Sequence, residues 1–173
     1  MNQEELLTQV DVNDNIIGSL PRSRFNEANL IHRSSYLIVL SPQNKLLLQR
    51  RPISKKWHPG KWTFSVTGSV LADETYKECI RREIKKAFGK EIRFKELFKY
   101  HHFDNVDKAF KMVFIARSDK TEINLDKSHA ANYVWVAINK LKKEIEAHPD
   151  KYAPPFISGM KVIFKKGLLE PYF

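Results

Sequence analysis

The residues best equipped for chemistry lie in one stretch, Gly68 to Gly89, which reads GSVLADETYKECIRREIKKAFG. Thr75 and Glu78 make a Thr-x-x-Glu capping box, which predicts a helix beginning at Tyr76. Gly89 can adopt the left-handed conformation just past the last turn and end that helix. Tyr76, Ile80, Ile84 and Phe88 recur at helical spacing and should face a core. Glu83, Lys86 and Ala87 then lie side by side, next to the apolar stripe. A carboxylate in that position is partly shielded from water and sits beside a loop end, where a metal or phosphate site can be built. Glu83 has a plainer role open to it as the partner of Lys86, and Arg82 has one as the i, i+4 partner of Glu78.

Strands must hold this helix in place. Residues 6–12 and 16–20 read as two short strands around a turn at Asp14–Asn15, and residues 21–30 as a polar connector. Ser35 to Leu40 is a strongly apolar strand, central to a sheet, and Ser41-Pro42-Gln43-Asn44 turns it back into a strand at residues 46–50. Pro59-Gly60 precedes a short strand at 62–66. Further strands are expected at 93–102, 110–116 and 133–137, with a polar loop at 119–132. A charged helix at 139–147 should end before Pro149. Pro154-Pro155 should break the chain before a last helix at 156–166, with Phe156, Met160, Ile163 and Phe164 inward. The expectation is one α+β domain over residues 1–173, a mixed β-sheet sandwiched between α-helices.

The Gly68–Gly89 stretch resembles the Nudix box of the Nudix hydrolase superfamily. Gly68, Glu74, Arg82, Glu83, Ile84 and Gly89 fall on the pattern of Gly, five residues, Glu, seven residues, Arg-Glu. The resemblance implies the Nudix fold and a catalytic set of Glu83 with Arg82 and Glu74. In it Glu83 binds metal or activates water, Arg82 orients it, and Glu74 supports the loop. The box's two consecutive glutamates, which in the family hold Mg²⁺ against substrate phosphates, are replaced by Lys86 and Ala87. Mg²⁺ requires hard oxygen ligands, and neither replacement supplies one. Either the site has drifted, or the Lys86 ammonium stands where the metal stood and pairs with a substrate phosphate.

The likeness spans roughly residues 8–165. It is carried also by Val10-Asp11-Val12 through Gly18 to His32-Arg33, and by Arg50-Arg51 through Lys55-Lys56, Pro59-Gly60 and Trp62. This part is similar to the branch holding type I isopentenyl-diphosphate isomerases and related bacterial Nudix hydrolases. The resemblance implies a substrate pocket lined by Arg50 and Arg51 and metal ligands at Glu83 and His32, with Mg or Mn as the cofactor, while the Lys86 charge makes it a third candidate phosphate contact. The branch's isomerase cysteine falls on Thr67 and a metal histidine on Ser69. A second metal histidine falls on Phe25. Of its acidic pair, Asp107 keeps one acid and Ala109 has lost the other. A threonine hydroxyl is a poor acid and serine a poor ligand for a divalent cation, which argues against isomerisation. His129 in the loop before the tryptophan-bearing strand is a further candidate ligand, better suited to a transition metal.

Bulk composition agrees with a small anionic substrate. The chain has 30 Lys and Arg against 20 Asp and Glu, a net charge of +10, and a positive field attracts phosphorylated compounds. Nucleic acid is not indicated beyond that charge. No apolar run approaches the ~20 residues of a membrane span. Cys79 is the single cysteine, read as a buried thiol, and a reducing cytoplasm is expected. His101 and His102 read as structural or surface residues. The functional expectation is a hydrolase of a diphosphate bond in a small metabolite or nucleotide. The alternative is an inactive Nudix fold that binds a phosphorylated ligand or a protein partner.

Overall fold

The computed structural model describes residues 4–26, 30–118 and 130–173. The strands are β1 (Leu6–Val10), β2 (Ile16–Pro21), β3 (Ile31–Leu40), β4 (Lys45–Arg50), β5 (Trp62–Thr63), β6 (Val66–Ser69), β7 (Lys95–Phe103), β8 (Lys108–Arg117) and β9 (Asn132–Ala137). The helices are α1 (Tyr76–Phe88), α2 (Ile138–Ala147) and α3 (Pro154–Lys166). Strand β3 is the hub. It pairs antiparallel with β1, β4 and β6, and parallel with β8 from His32↔Ala109 to Leu40↔Arg117.

Alternation along the strands divides the core into two layers. Tyr36, Ile38 and Leu40 of β3, with Val113 and Ile115 of β8, pack against Leu141 of α2 and Phe156, Met160 and Ile163 of α3. Leu37, Val39, Phe114 and Ala116 point the other way, onto Ile80, Ile84, Ala87 and Phe88 of α1. The sheet is therefore covered by helices on both faces, the expected α+β sandwich.

Several boundaries differ from expectation, and the single strand expected at 62–66 is two, β5 and β6. Strand β3 begins at Ile31 rather than Ser35, which brings His32 into the sheet. The polar connector contains a 3-10 turn, Arg22–Asn26, whose Phe25 is buried. Pro154-Pro155 does not break the chain ahead of α3 but opens it, since the first helical turn needs no internal amide donors and proline presets its φ. Helix α1 follows the sequence closely. Thr75 caps it with both reciprocal bonds to Glu78, and Gly89 closes it at φ 66°.

Candidate functional site

A cleft of about 360 Å³ opens where β3, β6 and the C-terminal half of α1 meet the loop after β4. Its wall carries five cations, Arg22, Arg51, Lys55, Lys56 and Lys86, against three carboxylates, Glu5, Glu83 and Asp107. Glu83 enters from α1 and Asp107 from the turn before β8. Each carboxylate has its own cationic partners.

Glu83 is 7% exposed. Its carboxylate accepts a short hydrogen bond from Arg82 Nη1, and its Oε1 lies 3.3 Å from Lys86 Nζ. Arg82 is fixed in turn by Glu74. Its Nε donates to Glu74 Oε1 at 2.6 Å, and its Nη2 donates to Glu74 Oε2 at 2.8 Å and to the Ser69 carbonyl at 3.1 Å. These hydrogen bonds push the Arg82 pKa up. Burial alone would raise the Glu74 pKa, but Arg82 and the Leu71 amide outweigh it and hold the carboxyl below its usual range. The i, i+4 partnership of Arg82 with Glu78 does not form, because Glu78 turns back to cap the helix. Gly68 makes room for Glu83: a Cβ at residue 68 would stand 2.4 Å from Glu83 Cγ and 3.3 Å from Cys79 Sγ.

The second carboxylate lies on the sheet side of the cleft. Lys111, on β8, is 0% exposed. Its Nζ donates to Asp107 Oδ2 at 2.6 Å and stands 5.1 Å from the centre of the Tyr36 ring. His32 Nδ1 donates to the Arg33 carbonyl at 3.2 Å, and its Nε2 faces Asp107 Oδ1 at 3.3 Å. Those two buried atoms have no other partner among the described residues. The His32 ring stacks on Trp57 at 5.4 Å and meets Phe25 edge-on at 5.5 Å. Burial would raise the Asp107 pKa, yet Lys111 and His32 hold it well below the usual carboxylate range. Burial would lower the Lys111 pKa, and Asp107 overrides this and raises it.

Of the residues picked from the sequence, Glu83, Arg51, Lys86 and His32 line one cleft, with Arg82 and Glu74 directly behind Glu83. Arg50 is not brought there. It is exposed, and its Nε donates to the Gly60 carbonyl. Neighbours on a strand point to opposite faces, so of Arg50-Arg51 only Arg51 turns in. Arg51 is anchored by a 2.8 Å bond from Nε to the Trp57 carbonyl, and burial lowers its pKa. Thr67 accepts from Gln49 Nε2 at 3.2 Å, Ser69 from Arg22 Nη1 at 3.1 Å, and Ala109 is buried. His129 lies outside the described residues. His102 is structural: Asp104 and Ser158 each lie 2.9 Å from its ring nitrogens, tying β7 to α3. Cys79 is buried, and that burial pushes its thiol up to about 12.

Sequence reasoning missed Lys111 and Trp57, and it gave Lys55, Lys56 and His58 no role. Lys111 was detectable. It alternates in register with Val113 and Ile115, so it points into a core, and a buried ammonium needs a carboxylate.

A model of the NUDIX domain matches residues 30–156. The chain belongs to the NUDIX family. It is 36% identical over 165 residues, 94% of this chain and 96% of the other, to a prenyl-diphosphate phosphatase of Methanosarcina mazei. It is 32% identical over 155 residues, 86% of each chain, to an isopentenyl-diphosphate Delta-isomerase of Photorhabdus laumondii. A Deinococcus radiodurans crystal structure superposes with a TM-score of 0.73 at 26% identity, covering 86% of this chain and 92% of that one.

Nudix proteins and isopentenyl-diphosphate isomerases generally use divalent metals. The donors of this cleft do not fit such an ion. Among the described residues, no three His, Cys, Asp or Glu side chains converge on one point. Both Glu74 oxygens are taken by Arg82, Ala87 is buried in the core, and Lys86 brings positive charge to Glu83.

Proposed function

We propose that this chain hydrolyses the diphosphate of a small organic diphosphate, with an isoprenoid diphosphate as the first substrate to test. The observation that carries this reading is the pairing, in one cleft, of a positioned carboxylate with cations left over for phosphate. Glu5, Glu83 and Asp107 are matched by Arg22, by Arg82 and Lys86, and by Lys111. Among the described residues Arg51, Lys55 and Lys56 form no ion pair with a carboxylate of the cleft wall, and they serve the diphosphate together with the outer face of Lys86. The relative that is named a prenyl-diphosphate phosphatase supports the substrate class.

In this mechanism Glu83 holds a water molecule and accepts its proton as the water oxygen bonds to phosphorus. The bridging P–O bond breaks, and the bridging oxygen leaves with the electron pair on the other phosphate. Arg82 and Glu74 are positioning residues that fix the rotamer of Glu83. The cations stabilise charge spread over the phosphoryl oxygens. No step is assigned to Mg or Mn, since the donors present do not fit either ion.

Isomerisation lacks its chemical groups here: Thr67 and Ser69 are bound to Gln49 and Arg22, and Ala109 carries no acid. Release of inorganic phosphate from isopentenyl, dimethylallyl and geranyl diphosphate tests the proposal. Glu83→Gln should lower the rate by roughly 10²–10⁴-fold, the usual worth of a positioned base, and an unchanged rate would remove Glu83 from the role. A second reading, binding without turnover, is favoured by the double engagement of Glu83 by Arg82 and Lys86. Ligand affinity with no phosphate release from any of these compounds would establish it.

A further inference from the structure

Glu83 and Asp107, the two buried carboxylates of the cleft, share a feature that the hydrolase reading alone does not require. Each is already neutralised by a cation of the chain itself. Glu83 has Arg82 and Lys86, the latter at 3.3 Å. Asp107 has Lys111 at 2.6 Å and His32 at 3.3 Å. The Lys111 ammonium is wholly buried and lies against the Tyr36 ring as well as Asp107, so it is fixed in place. A divalent ion entering at either carboxylate would have to displace, or lie beside, an ammonium group. Net negative ligand charge is what draws Mg²⁺ into a site, and that charge has been cancelled twice.

We infer that the cleft binds diphosphate without a metal ion, with Lys86 and Lys111 supplying at Glu83 and Asp107 the positive charge that a divalent cation would otherwise bring. The inference rests on the reading of this cleft as a diphosphate site. The two lysines differ in role. Lys86 is half-exposed on the cleft wall and reaches both Glu83 and a ligand. Lys111 is not on the wall. It acts through Asp107, removing a negative charge that would repel phosphate and attract metal. Arg51, Lys55, Lys56 and Lys86 then face the ligand as a cationic wall.

The test is titration of the intact protein with inorganic pyrophosphate by calorimetry, in chelator and in excess Mg²⁺ or Mn²⁺. The expected result is binding in chelator that metal does not strengthen. Binding only with metal, metal tightening binding by roughly tenfold or more, or no binding in any buffer would overturn the inference. Lys86→Glu gives a second arm at an exposed position, with its melting temperature as a check on folding. It places a carboxylate beside Glu83 and should weaken binding in chelator by roughly tenfold or more, the loss of one charge-assisted contact and the gain of repulsion. Undiminished binding in chelator by a folded Lys86→Glu protein would contradict the role of Lys86. Phosphate release on the same samples separates the two ideas. Turnover that depends on metal keeps the hydrolase reading and removes the inference. Metal-free pyrophosphate binding with no turnover of any diphosphate does the reverse.

Discussion

Two of the three carboxylates on the cleft wall, Glu83 and Asp107, meet their cations in different ways. Glu83 lies on a helix, and its partners are its own neighbours, Arg82 beside it and Lys86 one turn on. Lys86 has half its side chain in water (50% exposed), so that pair can open when a ligand arrives. Asp107 is met by Lys111 from inside the sheet and by His32 from β3, and the side chains of all three are nearly sealed from solvent. A pair with one partner half in water contributes little to stability and yields more easily than a sealed one. A buried pair is costly to assemble and costlier to break on one side. The helix side is thus built to respond and the sheet side to stay fixed.

Removing Lys111 should show the largest effect. Lys111→Met leaves Asp107 buried beside His32 alone and is expected to cost about 3–5 kcal/mol, read by urea denaturation. The double variant Lys111→Met with Asp107→Asn should recover most of that loss. A single variant as stable as the parent would mean that the two carboxylates are not distinct in this way. Gly68→Ala comes next. Its Cβ would collide with Glu83, and overpacking of this kind costs roughly 1–3 kcal/mol. It should also lower kcat by moving the carboxylate. If kcat is retained, the close packing of Gly68 on Glu83 does not serve the chemistry.

The pH response sharpens the same contrast. Glu74 has a folded-state pKa below the ordinary 4.5. Its contribution to stability is therefore present above that value and is lost as pH falls through the folded pKa. Asp107 behaves likewise but releases its contribution only at much lower pH. Of these two groups, Glu74–Arg82 should be lost first as pH falls, and Glu74→Gln should flatten the stability slope below pH 4.5. A slope there identical to that of the parent would contradict the assignment. The smallest effect belongs to Lys86→Ala, whose stability should stay within about 1 kcal/mol of the parent while KM for a diphosphate rises with little change in Tm.

What was legible in the sequence follows the range of the interactions. Helix α1, its Thr75–Glu78 cap, its Gly89 stop and the inward stripe of Ile80, Ile84 and Phe88 are set by contacts within a few residues, and the structure has them all. The sandwich followed from the alternation and apolar runs of the strands. The partner of Arg82 was ambiguous because Glu78 suits both a helix cap and an i, i+4 pair, and the cap took it. The cleft floor was harder, since His32 and Asp107 come from distant segments that the β3–β8 register brings together, and Trp57 stacks on His32 from the loop after β4. Lys111 was missed because its counter-charge, Asp107, sits in the preceding turn and not on a strand. Arg50 and Arg51 were equivalent in sequence, and only the strand register decided which of them turns inward.

Above all, the Glu83 cleft is proposed to break a diphosphate bond. The most direct test follows a prenyl diphosphate by phosphorus NMR with the parent protein and with Glu83→Gln, each in chelator and in Mg²⁺. Inorganic phosphate and a monophosphate ester should appear with the parent protein and fail to appear with Glu83→Gln at the same melting temperature. An unchanged diphosphate signal with the parent protein, or equal turnover by both proteins, would contradict that role of the cleft.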